Sequence, residues 1–443
     1  MEPVEYIIDS VLEKHAVSKD TFCFAPYFYF DFDQSGEMHT CYKGKTSMGN
    51  WKAGKVLTQF NSKNYNDLRL AQKKGDKGYT WPNCEDCYAH EDHKVWSLRK
   101  TLLVDKYNEL GHAGFENLVK KIKALGTDKV NLPVYDYVEM RLSNFCNLRC
   151  LHCDQRSSTQ WLNFLTDPEV FEVAEKIAMP IGHDVTSNNL IEKHKHFREN
   201  DNIDLDDVID IISKSRAITL SGGEPLLDPN YFRLMDGVSK QSLDIHRTID
   251  IHTNLNIKNI ERYFKHWETF QKVQIFVSID VPPSTYKYFR RNGDWKLVAD
   301  NIKKIKTHFP NKKHVNVLGH ITFNLFGALG WHELCEEWQA MNLQANSNIV
   351  TQGPTCSMYL PDKLKTSTLR TMESIIERSS FDESLINQTV DCYTYLKNTE
   401  RFGDILHQDV LEWCKIHDAK TNLQTLDFFP ELKIYYNRDT HVK

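Results

Sequence analysis

The sequence predicts an α/β fold with a parallel sheet, on three observations. Short apolar strand segments recur between about residues 136 and 355, namely Tyr137–Leu142, Ala217–Ser221, Thr248–His252, Val273–Asp280, Val315–Phe323 and Ser347–Thr351. Helical patterns separate most of them, as near Leu226–Ser239, Leu297–Ile305 and Trp331–Met341. Further helical patterns follow, as at Leu369–Arg378 and Ile405–Ile416. Alternation of this kind predicts βαβ units with right-handed crossovers. Six strands are too few for a closed eight-stranded barrel.

The segments before residue 136 predict smaller elements. Two aromatic-rich stretches flank Gln34-Ser35-Gly36, which predicts a β-hairpin. The polar stretch Tyr65–Lys73 predicts a helix. Residues 101–135 predict a helical connector, because apolar residues recur at the spacing of one helix face. Those residues are Phe115, Leu118, Val119 and Ile122.

Length, composition and charge bound the class of protein. The chain has 443 residues, enough for two or three domains, with 40% hydrophobic and 26% charged residues. A net charge of −5 gives no general attraction to nucleic acid or to anionic membranes. We expect no signal peptide and no transmembrane helix, because the sequence lacks the required apolar segments. We therefore expect a cytoplasmic protein, in which the 11 cysteines stay reduced and favour metal or cluster binding over disulfides.

Three closely spaced cysteines carry most of the functional information. Cys146, Cys150 and Cys153 form a C-x3-C-x2-C loop directly after the first strand of the alternating region. Active sites of parallel α/β proteins form at the carboxyl ends of strands. Three thiolates can hold three irons of a cubane cluster and leave the fourth iron open to a cofactor or substrate. A structural zinc site would normally add a fourth local ligand. The loop therefore indicates a reactive cluster.

A second motif follows the second strand. Gly222-Gly223-Glu224-Pro225 comes directly after Ala217–Ser221, and its two glycines allow the backbone to approach a ligand closely. Together with the cysteine loop, this turn resembles the radical S-adenosylmethionine (SAM) superfamily over roughly residues 136–355. The resemblance implies an open, partial (β/α)6 barrel. It also implies an enzyme that reductively cleaves SAM at a [4Fe–4S] cluster, so that a 5′-deoxyadenosyl radical abstracts hydrogen from a substrate.

The resemblance implies site residues as well. Cys146, Cys150 and Cys153 would bind the cluster. SAM contacts would come from the cysteine loop and from the strand ends: His152, Gly222, Gly223, Glu224, Pro225, Thr253, Asn254, Ser278, Asp280, Arg290 and Arg291. His152 occupies a position that is usually aromatic in the family, and its backbone would face the adenine. Either Arg290 or Arg291 would assist at the SAM ribose and carboxylate. For each polar residue at a strand end, local turn capping is an alternative.

Four further cysteines lie in the first hundred residues. Cys23 and Cys41 bracket the predicted hairpin, and Cys84 and Cys87 form a C-x2-C knuckle. Taken alone, this layout would favour a tetrahedral zinc. Beside the radical SAM motifs, it resembles the SPASM/twitch auxiliary modules, which implies a second [4Fe–4S] cluster that relays electrons. Zinc stays open as the alternative. Most such modules follow the barrel, whereas this one precedes it.

These interpretations divide the chain into four parts. We predict an auxiliary-cluster module at 1–100, a helical connector at 101–135, the barrel at 136–355 and a helical extension at 356–443. Cys356, in the loop after the last strand, is a candidate hydrogen-atom donor, although a thiol without a role is the alternative. Cys335, Cys392 and Cys414 predict buried packing.

The substrate is left open between a peptide or protein and a small metabolite. The resemblance implies a flavodoxin- or ferredoxin-like reductant, and no membrane or nucleic-acid partner is expected. A second reading from another class is a non-catalytic protein that binds zinc or an iron–sulfur cluster and serves in interactions. Release of 5′-deoxyadenosine from SAM distinguishes the two hypotheses, because only the enzyme produces it.

Overall fold

A computed structural model describes residues 4–92, 96–125, 130, 134–179, 181, 185–197, 205–240, 247–310, 314–351, 353–378, 380–400 and 403–436. The chain divides into two compact units. The first unit comprises Met1–Leu142, Asn200–Leu220 and Phe232–Thr248. The second unit comprises Ser143–Glu199, Ser221–Tyr231 and Ile249–Lys443. The predicted domain boundaries near residues 100, 135 and 355 stay predictions.

Strands of the described residues include all six predicted ones. In chain order they are β1 (Tyr29–Phe32), β2 (Glu37–His39), β3 (Gly49–Asn50), β4 (Tyr135–Arg141), β5 (Arg149–Cys150), β6 (Ser215–Ser221), β7 (Thr248–Thr253), β8 (Lys272–Ser278), β9 (Arg290–Arg291), β10 (Val315–Phe323) and β11 (Gln344–Ile349). The predicted six correspond to β4, β6, β7, β8, β10 and β11. The α/β class and the parallel pairing are thereby confirmed.

Helices lie between most of these strands and dominate the end of the chain. The longer ones are Val4–Lys14, Lys63–Lys74, Lys77–Asp92, Leu98–Ala124, Thr159–Leu165, Pro168–Lys176, Asp206–Ser213, Tyr231–Lys240, Pro283–Phe289, Trp295–His308, Trp331–Ala340, Asp362–Ile376, Glu383–Asn398 and Gln408–Lys420. Shorter ones are Ala25–Phe28, Val56–Phe60, Leu190–Lys193, Phe264–Trp267, Leu325–Leu329, Thr425–Phe428 and Lys433–Tyr436. Residues 101–124 of the predicted connector lie in the helix Leu98–Ala124, which breaks at Gly111, where φ is 65° and ψ is 175°. Residues 126–129 and 131–133 of that connector lie outside the described residues. No helix among the described residues has the length and apolar content that crossing a membrane requires.

In the first unit the strand order is β6-β4-β1-β2-β3. The predicted hairpin is confirmed, since β1 pairs antiparallel with β2 and the Asp33 nitrogen donates to the Glu37 carbonyl at 3.0 Å. Gly36 in the turn has φ of 101°, in the left-handed region that glycine tolerates. Strand β1 also pairs in parallel with β4, from Tyr29 opposite Tyr137 onward. The hairpin thereby extends the sheet beside the first strand of the alternating region.

In the second unit the strand order is β11-β10-β8-β7. Strand β10 pairs in parallel with both β8 and β11. Side chains alternate between the two faces of a strand, and in β8 Val273, Ile275 and Val277 are buried on one face. Phe276 and Ser278 lie on the other face and are half-buried. We call this second, more polar face of β7, β8, β10 and β11 the inner face.

A separate ribbon of two short strands follows the cysteine loop. Strands β5 and β9 pair antiparallel, with Arg149 opposite Arg291 and Cys150 opposite Arg290. Because neighbouring side chains point to opposite faces, Cys150 and Arg290 share one face, and Arg149 and Arg291 share the other. The ribbon therefore separates two adjacent arginines that the sequence analysis treated as interchangeable.

Candidate active site

The cysteine loop is held by its own backbone and by buried hydroxyls. The Leu148 nitrogen donates to the Cys146 sulfur at 3.4 Å, and the Cys153 nitrogen donates to the Cys150 carbonyl at 3.0 Å. Ser158 donates its hydroxyl to the Leu148 carbonyl at 2.6 Å. The three cysteines pack around Leu148 as one small cluster. Their side chains are thus gathered on one loop, as the spacing predicted.

The Gly-Gly-Glu-Pro turn packs directly on the cysteine loop. The Gly223 nitrogen donates to the Ser143 carbonyl at 3.0 Å, and the Glu224 nitrogen donates to the Phe145 carbonyl at 2.7 Å. A Cβ atom on Gly223 would lie 2.4 Å from the Phe145 oxygen, closer than any side chain permits. Glycine is therefore required at position 223, because the two backbones are in contact. Gly222, with φ of 111°, and Pro225, which begins the turn Pro225–Leu227, complete the loop.

Glu224 joins this turn to the end of β7. Its buried carboxylate accepts hydrogen bonds from the Thr253 hydroxyl and the Asn254 nitrogen, both at 2.7 Å, and from the Leu226 nitrogen at 3.2 Å. Burial raises the pKa of Glu224 to about 7, although these three donors favour the carboxylate. The Asn254 amide lies 3.7 Å from the Cys146 sulfur. Glu224, Thr253 and Asn254 are therefore brought together beside the cysteine loop.

A buried ion pair lies beside Cys150. Arg290 and Asp280 pair at 2.5 Å, and a second Arg290 nitrogen lies 3.5 Å from the Cys150 sulfur. Burial opposes ionisation of Asp280, but Arg290 and then His152 hold the pKa of its carboxyl below the ordinary value. The Thr322 nitrogen donates to the other carboxylate oxygen at 2.8 Å. Asp280 thus positions Arg290 against the cluster ligand.

His152 lies on the same side of the loop. Its ring stacks on Phe289 at 5.1 Å, and its Nδ1 lies 3.7 Å from an Asp280 oxygen. Burial lowers the pKa of His152, even though Asp280 favours the charged form. The resemblance implied a role only for the backbone of His152. The stack on Phe289 depends on a contact that no local pattern indicates.

Two of the predicted residues, Arg291 and Cys356, lie away from this group, and a third, Ser278, is placed by its strand alone. Arg291 donates to the Thr421 hydroxyl at 2.6 Å and lies over the Tyr288 ring, on the other face of the ribbon. Cys356 is fully buried, and its thiol contacts the Val350 carbonyl at 3.0 Å. Ser278, at the end of β8, is half-buried in register with His320. Of the two candidate arginines, Arg290 is the one beside the cysteines.

The inner face carries polar residues that the sequence analysis did not single out. His320 bonds Asn346 at 2.8 Å and Asn348 at 3.2 Å, one through each ring nitrogen. His252 stacks on Phe276 at 4.7 Å and meets the His320 ring edge-on. Burial, followed by His320, lowers the pKa of His252 to about 4. Burial also lowers the pKa of His320, so both histidines are neutral near neutral pH. The only sequence signal of the inner face is the placement of polar residues at alternate strand positions.

The four N-terminal cysteines lie together in the first unit. Cys84 and Cys87 lie within the helix Lys77–Asp92, which corrects the predicted knuckle. Because they are three residues apart, they share one helix face. Burial raises the pKa of Cys23 well above its ordinary value, and the charges of Cys41, Cys84 and Cys87 add to this effect. Cys41 packs against Cys23 in a small apolar cluster with Ala25 and Leu102.

The sulfurs of the two cysteine sets are not gathered as closely as they would be around a bound zinc. A tetrahedral zinc with bonds of about 2.3 Å needs sulfurs about 3.8 Å apart. Among the described residues, the one set of three or more ligand atoms within 4.8 Å of one another is formed by Asp33, Glu37 and His39. The cysteine sets are therefore more widely spaced than zinc requires. Hydrogen bonds to Cys23 from the Ala25 nitrogen and to Cys84 from Gln72 are of the kind that cluster sulfurs accept.

Part of the sequence matches a known protein family. Residues 140–325 match the model of the Radical SAM superfamily. No curated protein matches the sequence. A structure of TYW1 with a lysine-pyruvate adduct is 14% identical, with a TM-score of 0.28, and the match covers 53% of this chain and 71% of that one. The anSMEcpe structure with bound AdoMet is 14% identical, with a TM-score of 0.35 and coverage of 57% and 62%.

A third solved structure aligns over more of the chain. Streptococcus suis SuiB bound to its precursor peptide SuiA is 10% identical, with a TM-score of 0.32, and the match covers 90% of this chain and 75% of that one. The cysteine loop and the Gly-Gly-Glu-Pro turn both lie inside the residues that match the family model. Residues 140–325 therefore match the radical SAM superfamily, and this match supports an enzyme.

Proposed function

We propose that the enzyme holds a [4Fe–4S] cluster with Cys146, Cys150 and Cys153 and binds SAM against the Gly-Gly-Glu-Pro turn. When bound, this pair supplies reductive cleavage of SAM to a 5′-deoxyadenosyl radical that abstracts hydrogen from a substrate. The observation that carries the proposal is the contact between the two loops. The Glu224 nitrogen bonds the Phe145 carbonyl, and the Glu224 carboxylate bonds the end of β7.

The surroundings of the thiols fit a cluster of this kind. Hydrogen bonds to ligating sulfurs and nearby charge tune an iron–sulfur site. Leu148 offers a backbone N–H to Cys146, and Asn254 offers an amide to the same sulfur. Arg290 places a positive charge beside Cys150. These donors stabilise thiolates, which is the protonation state that metal binding requires.

Glu224 acts in this proposal mainly by positioning. Its carboxylate already accepts three hydrogen bonds, from Leu226, Thr253 and Asn254. The backbone carbonyls of Gly222 and Gly223 are then the acceptors for the SAM amino group. Thr253, Asn254 and Ser278 lie at strand ends that would face the rest of SAM, and Arg290 would serve its carboxylate. These roles are assigned because the Glu224 carboxylate is already hydrogen-bonded within the protein.

A second [4Fe–4S] cluster is proposed at Cys23, Cys41, Cys84 and Cys87, in an SPASM/twitch-like module that precedes the barrel. The spacing and burial of these thiols support it. Arg99 braces the site, because its guanidinium bonds Glu91 and also the carbonyls of Lys19 at 2.7 Å and Phe22 at 3.2 Å. With all four irons ligated by protein, this cluster would relay electrons and would not bind substrate.

The substrate is proposed to lie on the inner face. Its hydrogen-bonding groups, above all Asn346, Asn348 and His320, are neutral at physiological pH, while Phe276 offers an apolar ring. A hydrogen-bonding ligand matches this layer, as a peptide segment or a small polar metabolite would. We place the enzyme in the cytoplasm, with a flavodoxin- or ferredoxin-like protein as reductant. The four-part division of the chain belongs to the same proposal.

The test is anaerobic reconstitution followed by addition of dithionite and SAM. We expect about eight irons per chain and release of 5′-deoxyadenosine. Cys150→Ala is expected to abolish that product and to retain about four irons. Cys335→Ala, which removes a buried thiol outside both sets, is the matched control and should keep both properties. Metal binding without any 5′-deoxyadenosine would favour the interaction protein and contradict the proposal.

A further inference from the structure

A group of basic side chains, two of them buried and one half-buried, lies behind the ribbon that carries Cys150. Arg149 and Arg291 are paired in register on the face of the ribbon opposite Cys150 and Arg290. His417, from the helix Gln408–Lys420, joins them, because Phe164 contacts both its ring and the Arg149 guanidinium. The Arg149 carbon lies 3.4 Å from the centre of the Phe164 ring, and His417 stacks on the same ring at 5.0 Å. We call Arg149, Arg291 and His417 the cationic cluster.

Most polar atoms of the cationic cluster are buried without a partner. Within the described ranges, five of its nitrogens have no hydrogen-bond partner: Nε of Arg149, Nε and Nη2 of Arg291, and both ring nitrogens of His417. Arg291 is 3% exposed and His417 is 0% exposed. The contact of Arg291 Nη1 with the Thr421 hydroxyl satisfies one remaining donor. Buried polar groups in native proteins are normally paired, so five in one place indicate a missing partner.

The cationic cluster has two guanidinium charges and, among the described residues, one carboxylate that acts on it. Asp418 is the carboxylate that acts on Arg291, but it accepts its hydrogen bonds from Thr425 and Tyr436. Burial, followed by Arg291 and Arg149, holds the pKa of His417 well below its ordinary value. Two guanidinium charges therefore face each other beside a neutral imidazole. Buried charges of this kind are normally compensated by an opposite charge.

We propose that the cationic cluster binds a small inorganic oxyanion of the phosphate or sulfate class. Guanidinium groups match the geometry of such anions, and the imidazole N–H adds a further donor. Because Arg291 and His417 are buried among aromatic rings, the site suits a free inorganic anion and excludes a nucleotide phosphate. The bound anion joins β5 to β9 and thereby supports the ribbon that carries Cys150. Arg291 thus serves the anion and makes no contact with SAM.

Phosphate binding to the reconstituted full-length holoprotein tests the proposal directly. The protein is dialysed into chloride buffer free of phosphate and sulfate, and binding of radiolabelled inorganic phosphate is measured by equilibrium dialysis at constant ionic strength. We expect one saturable site per chain and at least tenfold weaker binding in Arg291→Met. Arg378→Met, which changes an exposed arginine just after the helix Asp362–Ile376, should bind as the wild type does. Adenosine monophosphate, the probe for an organic phosphate, should not compete.

Melting temperature separates an anion site from ordinary packing. A bound ligand stabilises only the folded state, so the wild type should melt at a higher temperature as phosphate rises. Arg291→Met relieves the repulsion between two guanidinium groups and should melt at or above the wild-type temperature without phosphate, but below it in saturating phosphate. The proposal would be overturned by two results together. The wild type would neither bind phosphate nor change its melting temperature with it, and Arg291→Met would melt below the wild type in both buffers. Competition by adenosine monophosphate would overturn the assignment to a small inorganic anion.

Discussion

Asp280 and Arg290 form a fully buried ion pair at 2.5 Å, and the same arginine lies 3.5 Å from the Cys150 sulfur. One acidic side chain at the end of a strand therefore sets the position of a cation beside a cluster ligand. Asp280 also accepts a hydrogen bond from the Thr322 nitrogen, so it links β8 and β10 to the ribbon. The pair connects the stability of the second unit to the chemistry of its cysteine loop.

Asp280→Asn should destabilise the protein by about 3–5 kcal/mol, because it leaves the buried Arg290 charge unpaired. Urea unfolding of the reconstituted protein measures this change. The control Glu261→Gln breaks an exposed pair with Lys304 and should cost less than about 1 kcal/mol. The double variant Asp280→Asn with Arg290→Met should recover part of the loss. If Asp280→Asn and Glu261→Gln lowered the free energy of unfolding equally, the buried pair would have no special structural role.

Gly223→Ala should disrupt the contact between the two loops. The added Cβ would lie 2.4 Å from the Phe145 carbonyl oxygen, so the backbones must separate. Since a displacement of about 1 Å can cost about 100-fold in rate, we expect a loss of that order in 5′-deoxyadenosine formation. Gly78→Ala is the control, because its Cβ meets nothing closer than 3.5 Å and the site is helical. Full activity in Gly223→Ala would mean that the loop contact is not needed for SAM cleavage.

Cys87→Ala should remove the proposed second cluster and leave the first. Iron should fall from about eight to about four per chain, with no zinc bound in either protein. Release of 5′-deoxyadenosine without substrate should continue, because Cys146, Cys150 and Cys153 are unchanged. Elemental analysis and product chromatography provide both readouts. Four irons and one zinc in the wild-type protein would replace the auxiliary cluster with a zinc site and leave the SAM chemistry intact.

His252→Gln should change how stability depends on pH. Burial and the neighbouring His320 lower the pKa of folded His252 to about 4, whereas an unfolded histidine has a pKa of about 6.5. Between these values the unfolded chain binds a proton that the folded chain does not, so the contribution to stability rises with pH and is complete above about pH 6.5. The stability advantage of the wild type over the variant should therefore grow between pH 5 and pH 7.5. Urea midpoints at the two pH values measure it, and a constant difference would show that His252 titrates normally.

Local patterns sufficed for the elements that depend on local chemistry. Alternating apolar residues predicted the six strands, because the side-chain period of a strand is two. The turn residues Gln34-Ser35-Gly36 predicted the hairpin, and the C-x3-C-x2-C spacing predicted that three thiols share one loop. Each of these features is decided by residues fewer than about ten positions apart, which is the range over which backbone preferences act.

Long-range packing decided the rest. Nothing local distinguishes Arg290 from Arg291, yet the register of β5 and β9 turns one toward Cys150 and the other toward Thr421. The parallel pairing of β1 with β4 joins residues more than 100 positions apart, and the inner-face contacts of His320 depend on the neighbouring strand. The sequence alone determined which chemistry the cysteine loop can support. Only the tertiary structure decided which side chains surround it, because strand register and burial are properties of the whole fold.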